Sequence, residues 1–445
     1  MTKIKEKGSL RVLILFLAAL IATLSLYFWI GKMSDVEFDV HTSSSTPPHL
    51  RASSTVLAAS TTAKINGIPE IEVTHLPIPT PLYAAYMTSC IASGKTLRTH
   101  MLKLLETTEL NAVVIDIKDF SGKLSIDTGD PHFILNNNGC AIPDIKTLIA
   151  ELHQKHIYVI GRVTVMQDNT YPKTHPLSAV QSKSTGGIWH DKKGISFIDP
   201  GATEYWQYMI DLGKASHALG FDEINYDYIR YPSDGDMSDA KFSRSASTSK
   251  AEMMKRFYSY LGKGMHEAGI PISADLFGMT TSNTDDLGIG QVLENALPNF
   301  DYVAPMVYPS HYPPNFNGWK DPNMVPYDII KFSMSKGVER ANELEKTESG
   351  WKPIITTVSS TTGQVSTSTN TKFVPTGKYS RRLRPWIQDF NYGKVYTEAD
   401  VRAQKKGVYD AGLTSWMVWN PKNLYTTSAY DPSIAIGMPT STSGN

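Results

Sequence analysis

Gly220-Phe-Asp-Glu-Ile-Asn-Tyr-Asp-Tyr-Ile-Arg-Tyr-Pro232 is the densest run of chemistry-bearing residues in the chain. Its centre, 223–227, alternates polar with apolar side chains, the period of a β-strand whose two faces meet different surroundings. Glu223, Asn225 and Asp227 then share one face, and Ile224 and Tyr226 the other. An apolar pair of this kind packs outward on helices. The polar trio points to the axis of a barrel, where buried polar groups need partners or a function. Asp227 ends the strand, the position from which a carboxylate reaches a ligand held above the barrel.

Working outward, short β-branched or aromatic runs recur at 84–88, 112–118, 158–163, 272–276, 302–307, 353–358 and 414–418, which with 223–227 makes eight candidate strands. The intervals carry helical patterns at 97–107, 142–155, 203–219, 251–268, 289–297, 327–344 and 398–411. Alternation of strand and helix signals a parallel sheet. Eight strands with seven intervening helices predict an α/β fold, a closed (β/α)8 TIM barrel, over an open doubly wound sheet. No Gly-x-Gly-x-x-Gly follows the first strands, which also counts against a dinucleotide fold. The long segments 164–201, 232–250, 308–325 and 359–396 all follow strands. They are therefore extended βα loops crowding one face, the face where barrel enzymes keep their sites.

Other strand ends add to that rim. Alternation in 113–119 places Asp116 and Lys118 on a common face, Arg162 closes the third strand, Asp275 closes the fifth, and Tyr308 and His311 lie just past the sixth. Hydrolysis of a glycosidic bond needs two carboxyl groups, one to protonate the leaving oxygen and one to attack the sugar or activate water. Their environments must separate the two pKa values. Asp227 and Asp275, on adjacent strands, are the candidate pair, with Asp116 in reserve as the acid. Lys118 and Arg162 would keep one carboxylate ionised or hold sugar hydroxyls. Glu223, Asn225, Arg230, Tyr308 and His311 complete the polar side of the pocket as candidate substrate contacts. Two plainer roles compete: an ion pair between Asp227 and Arg230, and a buried ion pair for Glu223, which lies lower in the barrel. Aromatic faces stack on pyranose rings, and Trp189, Trp319, Trp386, Trp416 and Trp419 fall in the βα loops or in the last strand and its loop. Trp416 and Trp419 are the foremost ligand candidates among them.

Several classes are disfavoured. With 43 basic and 43 acidic residues the chain has zero formal net charge, and basic runs occur only at the N-terminus and at Arg381-Arg382, so nucleic acid is a poor partner. His175, His190 and His311 lack metal-ligand spacing, no Gly-x-Ser-x-Gly elbow occurs, and no cofactor is expected. Cys90 and Cys140 are too few for a disulfide scaffold, although outside the cytoplasm they could pair. Lys3, Lys5, Lys7 and Arg11 precede an uncharged apolar run at 12–30, long enough to span a bilayer with its positive flank in the cytoplasm. Residues 1–34 are thus expected to form a signal-anchor helix in the cell membrane, a cleaved signal peptide being the competing reading. Residues 35–75, rich in Ser, Thr and Pro over most of their length, read as a linker, 76–435 as the exported barrel domain, and 436–445 as a tail.

Asn111-Ala-Val-Val-Ile-Asp-Ile-Lys-Asp119, the 220–232 run, Ser273-Ala-Asp-Leu-Phe-Gly278, Tyr302-Val-Ala-Pro-Met-Val-Tyr-Pro-Ser-His-Tyr312 and Trp386-Ile-Gln-Asp-Phe390 together resemble a bacterial family of glycosyl hydrolase domains long labelled a domain of unknown function. The resemblance runs from about Pro81 to about Tyr425. It implies a (β/α)8 barrel and glycosidase activity, and adds Gln388 to the candidate substrate contacts. By looser similarity to barrels that cleave α-linked galactosamine polymers, it implies an acidic residue at the end of the fourth strand, matched by Asp227. A second is implied on a following strand, where Asp275 fits by position although such relatives also use Glu. It supplies no substrate. The expected partner is a cell-envelope or extracellular polysaccharide. The rival expectations are a carbohydrate-binding barrel without turnover and a hydrolase that removes substituents from a polysaccharide.

Overall fold

The computed structural model describes residues 71–136, 139–349, 354–359, 365–370 and 374–433. The apolar run at 12–30, the linker up to residue 70 and the tail at 436–445 lie outside the described residues. Among the described residues no helix is long and apolar enough to cross a membrane.

Eight parallel strands close a barrel in sequence order: β1 Tyr83–Met87, β2 Ala112–Lys118, β3 Tyr158–Thr164, β4 Glu223–Asp227, β5 Ile272–Phe277, β6 Tyr302–Met306, β7 Trp386–Gln388 and β8 Trp416–Trp419, the last pairing with β1. Among the described residues each connection carries one principal helix, α1 Lys95–Thr107, α2 Ile145–Gln154, α3 Thr203–His217, α4 Lys250–His266, α5 Leu293–Ala296, α6 Pro326–Ser349 and α7 Glu398–Asp410, with short helical turns besides at Ser89–Ser93 and Tyr171–Thr174. The main apolar core lies between strands and helices. Val113, Ile115, Val159, Ile224, Tyr226, Ile272 and Val303 face outward into it. A second apolar cluster fills the barrel interior, with Ala84, Val114, Tyr158, Ile160, Ala304 and Met417 at its centre and Leu76 and Ile78 packed against it. The outward pair Ile224 and Tyr226 and the inward trio of β4 follow the alternation read from the sequence.

The seventh strand departs from expectation. The run at 353–358 has the β-branched composition of a strand, and Ile354–Ser359 does form one, but in an antiparallel hairpin with Val365–Asn370 outside the barrel. The barrel position belongs to Trp386–Gln388, reached through Arg384-Pro385 inside what reads as a long loop. Its inward residues Arg384, Trp386 and Gln388 are large and polar or aromatic because they line the barrel interior. Strand propensity, which tracks fit to a half-buried apolar surface, therefore points elsewhere. The interval at 289–297 likewise holds only the single turn α5.

A second departure concerns β2. Asp116 pairs with Arg162, yet Lys118 pairs with Val163, so one residue is bulged out between them. The bulge reverses the alternation and turns Lys118 to the outside of the barrel. Ile117 then crosses Gly161 so closely that a Cβ there would stand 2.1 Å from Ile117 Cδ1. Cys90 and Cys140 are joined by a disulfide that ties the turn after β1 to the loop after β2.

Candidate active site

The strands deliver a ring of charged side chains to the C-terminal mouth of the barrel. Asn225 pairs with Ser273 and Tyr226 with Ala274. Asp227 and Asp275 therefore stand at one level on neighbouring strands, whose backbones run about 4.8 Å apart. Arg162, on the other side of β4, donates to Asp227 Oδ2 from Nε at 3.1 Å and Nη2 at 2.5 Å, and to Asp116 Oδ1 from Nη1 at 2.7 Å. Tyr86 donates its hydroxyl to Asp116 Oδ2. One guanidinium thus spans two carboxylates, and the first strand braces the second. All of these groups are buried.

Asp275 has a different setting. Its Oδ1 accepts from Asn225 Nδ2 at 2.9 Å and from Trp386 Nε1 at 2.7 Å, and it has no ion pair among the described residues. Burial raises its pKa first and the neighbouring Asp227 charge adds to this, outweighing Arg162 and the two hydrogen bonds, so that it reaches about 8. Burial also pushes Asp116 up, against the opposing pull of Arg162 and Tyr86. The geometry thus sets two carboxyl groups side by side, one ion-paired and one held protonated at neutral pH.

Both carboxyls open into a cavity of about 580 Å³ also lined by Arg162, Tyr308, Phe390 and Trp419. That volume suits a ligand of several rings. Trp419 stacks on Tyr86 with ring centroids 3.7 Å apart and carries the Arg162 guanidinium 5.1 Å from its own centroid. The phenol of Tyr308 is pushed well up by burial and by the charges of Asp275 and Asp227, so it stays a hydrogen-bond donor. After Asp227 the chain enters the left-handed region at Tyr228, φ 53°, from which its N–H turns back to Asp227 Oδ1 at 2.6 Å. Such a conformation in a bulky residue costs on the order of 1–3 kcal/mol and collects at functional sites.

Of the sequence candidates, Asp227, Asp275, Arg162, Arg230, Tyr308, His311 and Trp419 line the cavity, while Asp116 and Asn225 hold its members in place. Four others do not reach it. Lys118 is turned away by the bulge and pairs with Asp168 at 3.0 Å beneath Tyr205. Glu223 is matched low in the barrel to Arg384. Gln388 is fully buried, its side chain accepting from Ser310 Oγ at 2.8 Å and donating to the Phe390 carbonyl at 2.9 Å, so it shapes the rim instead of touching ligand. Trp416 packs outside the barrel against Tyr83 and Tyr430 and donates to Tyr409. An odd spacing of three residues sets Trp416 and Trp419 on opposite faces of one strand. Asp227 is paired with Arg162 instead of Arg230. Sequence reasoning passed over Tyr86, Tyr228 and Arg384; the alternation of β1 would have turned Tyr86 inward. Among the described residues no group of His, Cys, Asp and Glu is suited to a metal ion.

Residues 84–362 and 349–425 match the model of a family described as putative glycosyl hydrolase domain. No curated protein matches the chain. Among solved structures, a hypothetical protein from Ruminiclostridium thermocellum is 27% identical, aligned over 46% of this chain and 98% of its own with a TM-score of 0.38. The glycoside hydrolase domain of PgaB (BpsB) from Bordetella bronchiseptica is 10% identical over 77% of this chain and 94% of its own, TM-score 0.49. A chitinase from Chromobacterium violaceum is 13% identical over 76% and 93%, TM-score 0.39.

Proposed function

The chain belongs to the putative glycosyl hydrolase domain family, and we propose that it cleaves glycosidic bonds within a cell-envelope or extracellular polysaccharide, using Asp275 as general acid and Asp227 as its Arg162-bound partner. The observation that carries this reading is the asymmetry of the pair. Arg162 binds Asp227 through two charge-assisted hydrogen bonds, whereas Asp275 has no ion pair among the described residues and burial pushes its carboxyl up to about 8. Protonated Asp275 delivers its proton to the glycosidic oxygen as the bond from that oxygen to the anomeric carbon breaks. Asp227 attacks the anomeric carbon or takes a proton from the attacking water. Trp419 and Phe390 offer ring faces to the sugar, and Tyr308 a hydroxyl.

The apolar run at 12–30 and the positive flank before it favour a barrel held at the outer face of the cytoplasmic membrane. The Cys90–Cys140 disulfide supports an oxidising compartment. The direct test is release of new reducing ends from a panel of bacterial and fungal polysaccharides. Asp227→Asn and Asp275→Asn should each lower kcat by about 10²–10⁴-fold. Full activity in both variants would remove these residues from the chemistry.

A further inference from the structure

Among the described residues, six arginine and lysine side chains are buried: Arg98, Lys118, Arg162, Arg230, Arg384 and Lys405. Five are matched to carboxylates, by Asp144, Asp168, Asp116 with Asp227, Glu223 and Glu109 respectively. Arg230 is the exception. It is only 7% exposed and has no carboxylate within ion-pair distance among the described residues. Its guanidinium lies between the rings of Tyr228 and Phe277, 4.9 and 4.7 Å from their centroids, and its one hydrogen bond runs from Nη1 to the Tyr231 carbonyl at 2.9 Å. A guanidinium carries five N–H donors. Those left over have no hydrogen-bond partner among the described residues and are not sealed off from open space. Burial accordingly pushes the group down from the ordinary arginine range, the direction of a charge lacking its counter-charge.

The nearby acids are committed elsewhere or stand off. Asp227 is bound by Arg162. Asp191 Oδ1 accepts from the backbone N–H groups of Lys193 and Ile195 at 2.8 and 2.9 Å, and Asp234 is exposed. The position of Arg230 adds to the case. Together with Tyr228 it lines both the catalytic cavity and a second one of about 610 Å³, which Phe120, Lys193 and Phe197 line as well, along with the carboxylates of Asp191 and Asp234. Arg230 is therefore the wall common to two spaces, each large enough for several rings, with an unmet cation facing them.

We propose that Arg230 receives an oxyanion, carboxylate or phosphate, carried by a polysaccharide that runs from the catalytic cavity across Tyr228 into the second cavity. The substrate is then an acidic polymer cut within its chain, which deepens the glycosidase reading and rests on it. A planar guanidinium fork matches both oxyanions through paired hydrogen bonds. Phe120, half exposed in the second cavity, supplies a ring face to a sugar further along.

The test uses the full chain carrying Asp275→Asn, which keeps the groove and stops turnover. It is titrated with oligosaccharides of equal length that contain uronates, carry phosphate substituents, or are uncharged. The expected result is binding of one charged series, weakened by added salt. Adding Arg230→Gln should weaken it by about tenfold or more, and Arg230→Lys should lose less. A thermal melt of each variant checks that the fold is kept. Whether uronate or phosphate binds identifies the source of the oxyanion. Equal affinity for charged and uncharged series, binding of neither charged series, or affinity unmoved by Arg230→Gln would each overturn the proposal. The two readings fail separately. An acidic polymer that is bound through Arg230 yet never cut by the wild type sinks the glycosidase alone. A neutral polymer cut by the wild type and spared by Asp227→Asn sinks only the role of Arg230.

Discussion

Asp227 and Asp275 are the same residue type at the same level of neighbouring strands, and what separates their chemistry is a single guanidinium. Arg162 lies on β3, beside β4 and away from β5, so it binds Asp227 and leaves Asp275 to its burial. Two outcomes follow from the raised value of about 8. A general acid works while protonated, so kcat/KM should fall as pH rises through about 8, and a profile flat to pH 10 would count against Asp275 as the acid. Stability carries the same signature. A carboxyl with a native pKa above its unfolded value, about 4, binds its proton more tightly when folded. Its contribution is complete below pH 4 and is lost progressively as pH climbs to about 8. Asparagine in its place still accepts from Trp386 and has nothing to titrate. Asp275→Asn should therefore melt higher than wild type by a margin that widens between pH 4 and 8, on the order of a few kcal/mol at the upper end. A margin independent of pH would show that the native carboxyl is not perturbed.

At the scale of elements, the bulge in β2 decides which of its charged residues belongs to the site. Strict alternation from Asp116 would bring Lys118 to the rim, and one extra residue sends it to Asp168 under helix α3 instead. Lys118→Met should then leave a buried carboxylate without its cation and destabilise the fold by about 3–5 kcal/mol. The kcat/KM of the molecules that remain folded should be unchanged. A raised KM at undiminished stability would return Lys118 to the substrate. The same bulge explains Gly161: a methyl there meets Ile117 Cδ1 at 2.1 Å, so Gly161→Ala should cost about 1–3 kcal/mol. Adding Ile117→Val, which removes the offending carbon, should recover part of that in urea denaturation. What the sequence made legible follows the same physics. β4 and β5, with an apolar outward and a polar inward face, stand out by alternation, and β2 and β3 stand out as continuous apolar runs that reach a charged residue near their ends; Asp227, Asp275 and Arg162 come with them. β7 does not, because its inward residues serve the barrel interior and its three-residue length carries no period. Bulges, too, leave no trace in alternation, so the sequence pattern alone sets Lys118 on the inward face. Trp416 is a different case, since parity of spacing already sets it opposite Trp419.

At the scale of the molecule, the barrel must hold a mouth crowded with buried charge, and long βα loops must stay in register above it. The loop after β2 brings Phe120 to the second cavity, and the disulfide from Cys90 to Cys140 fixes the far end of that loop to the turn after β1. A bond closing a chain separation of 50 residues restricts the unfolded ensemble by about 4 kcal/mol in the chain-entropy model, with typical measured effects of about 2–4 kcal/mol. The double variant Cys90→Ser with Cys140→Ser, or wild type under reductant, should lose that amount in urea denaturation. The mouth offers a sharper readout than stability alone. Tyr86, which braces Asp116, is the last residue but one of the strand that the disulfide-linked turn follows, three residues before Ser89. If the bond serves the site as well as the fold, reduction should lower kcat/KM at temperatures where the barrel is still fully folded. If kcat/KM holds steady until the melt, the bond acts through the unfolded chain only, and the register of the mouth rests on the Tyr86–Asp116–Arg162–Asp227 chain by itself.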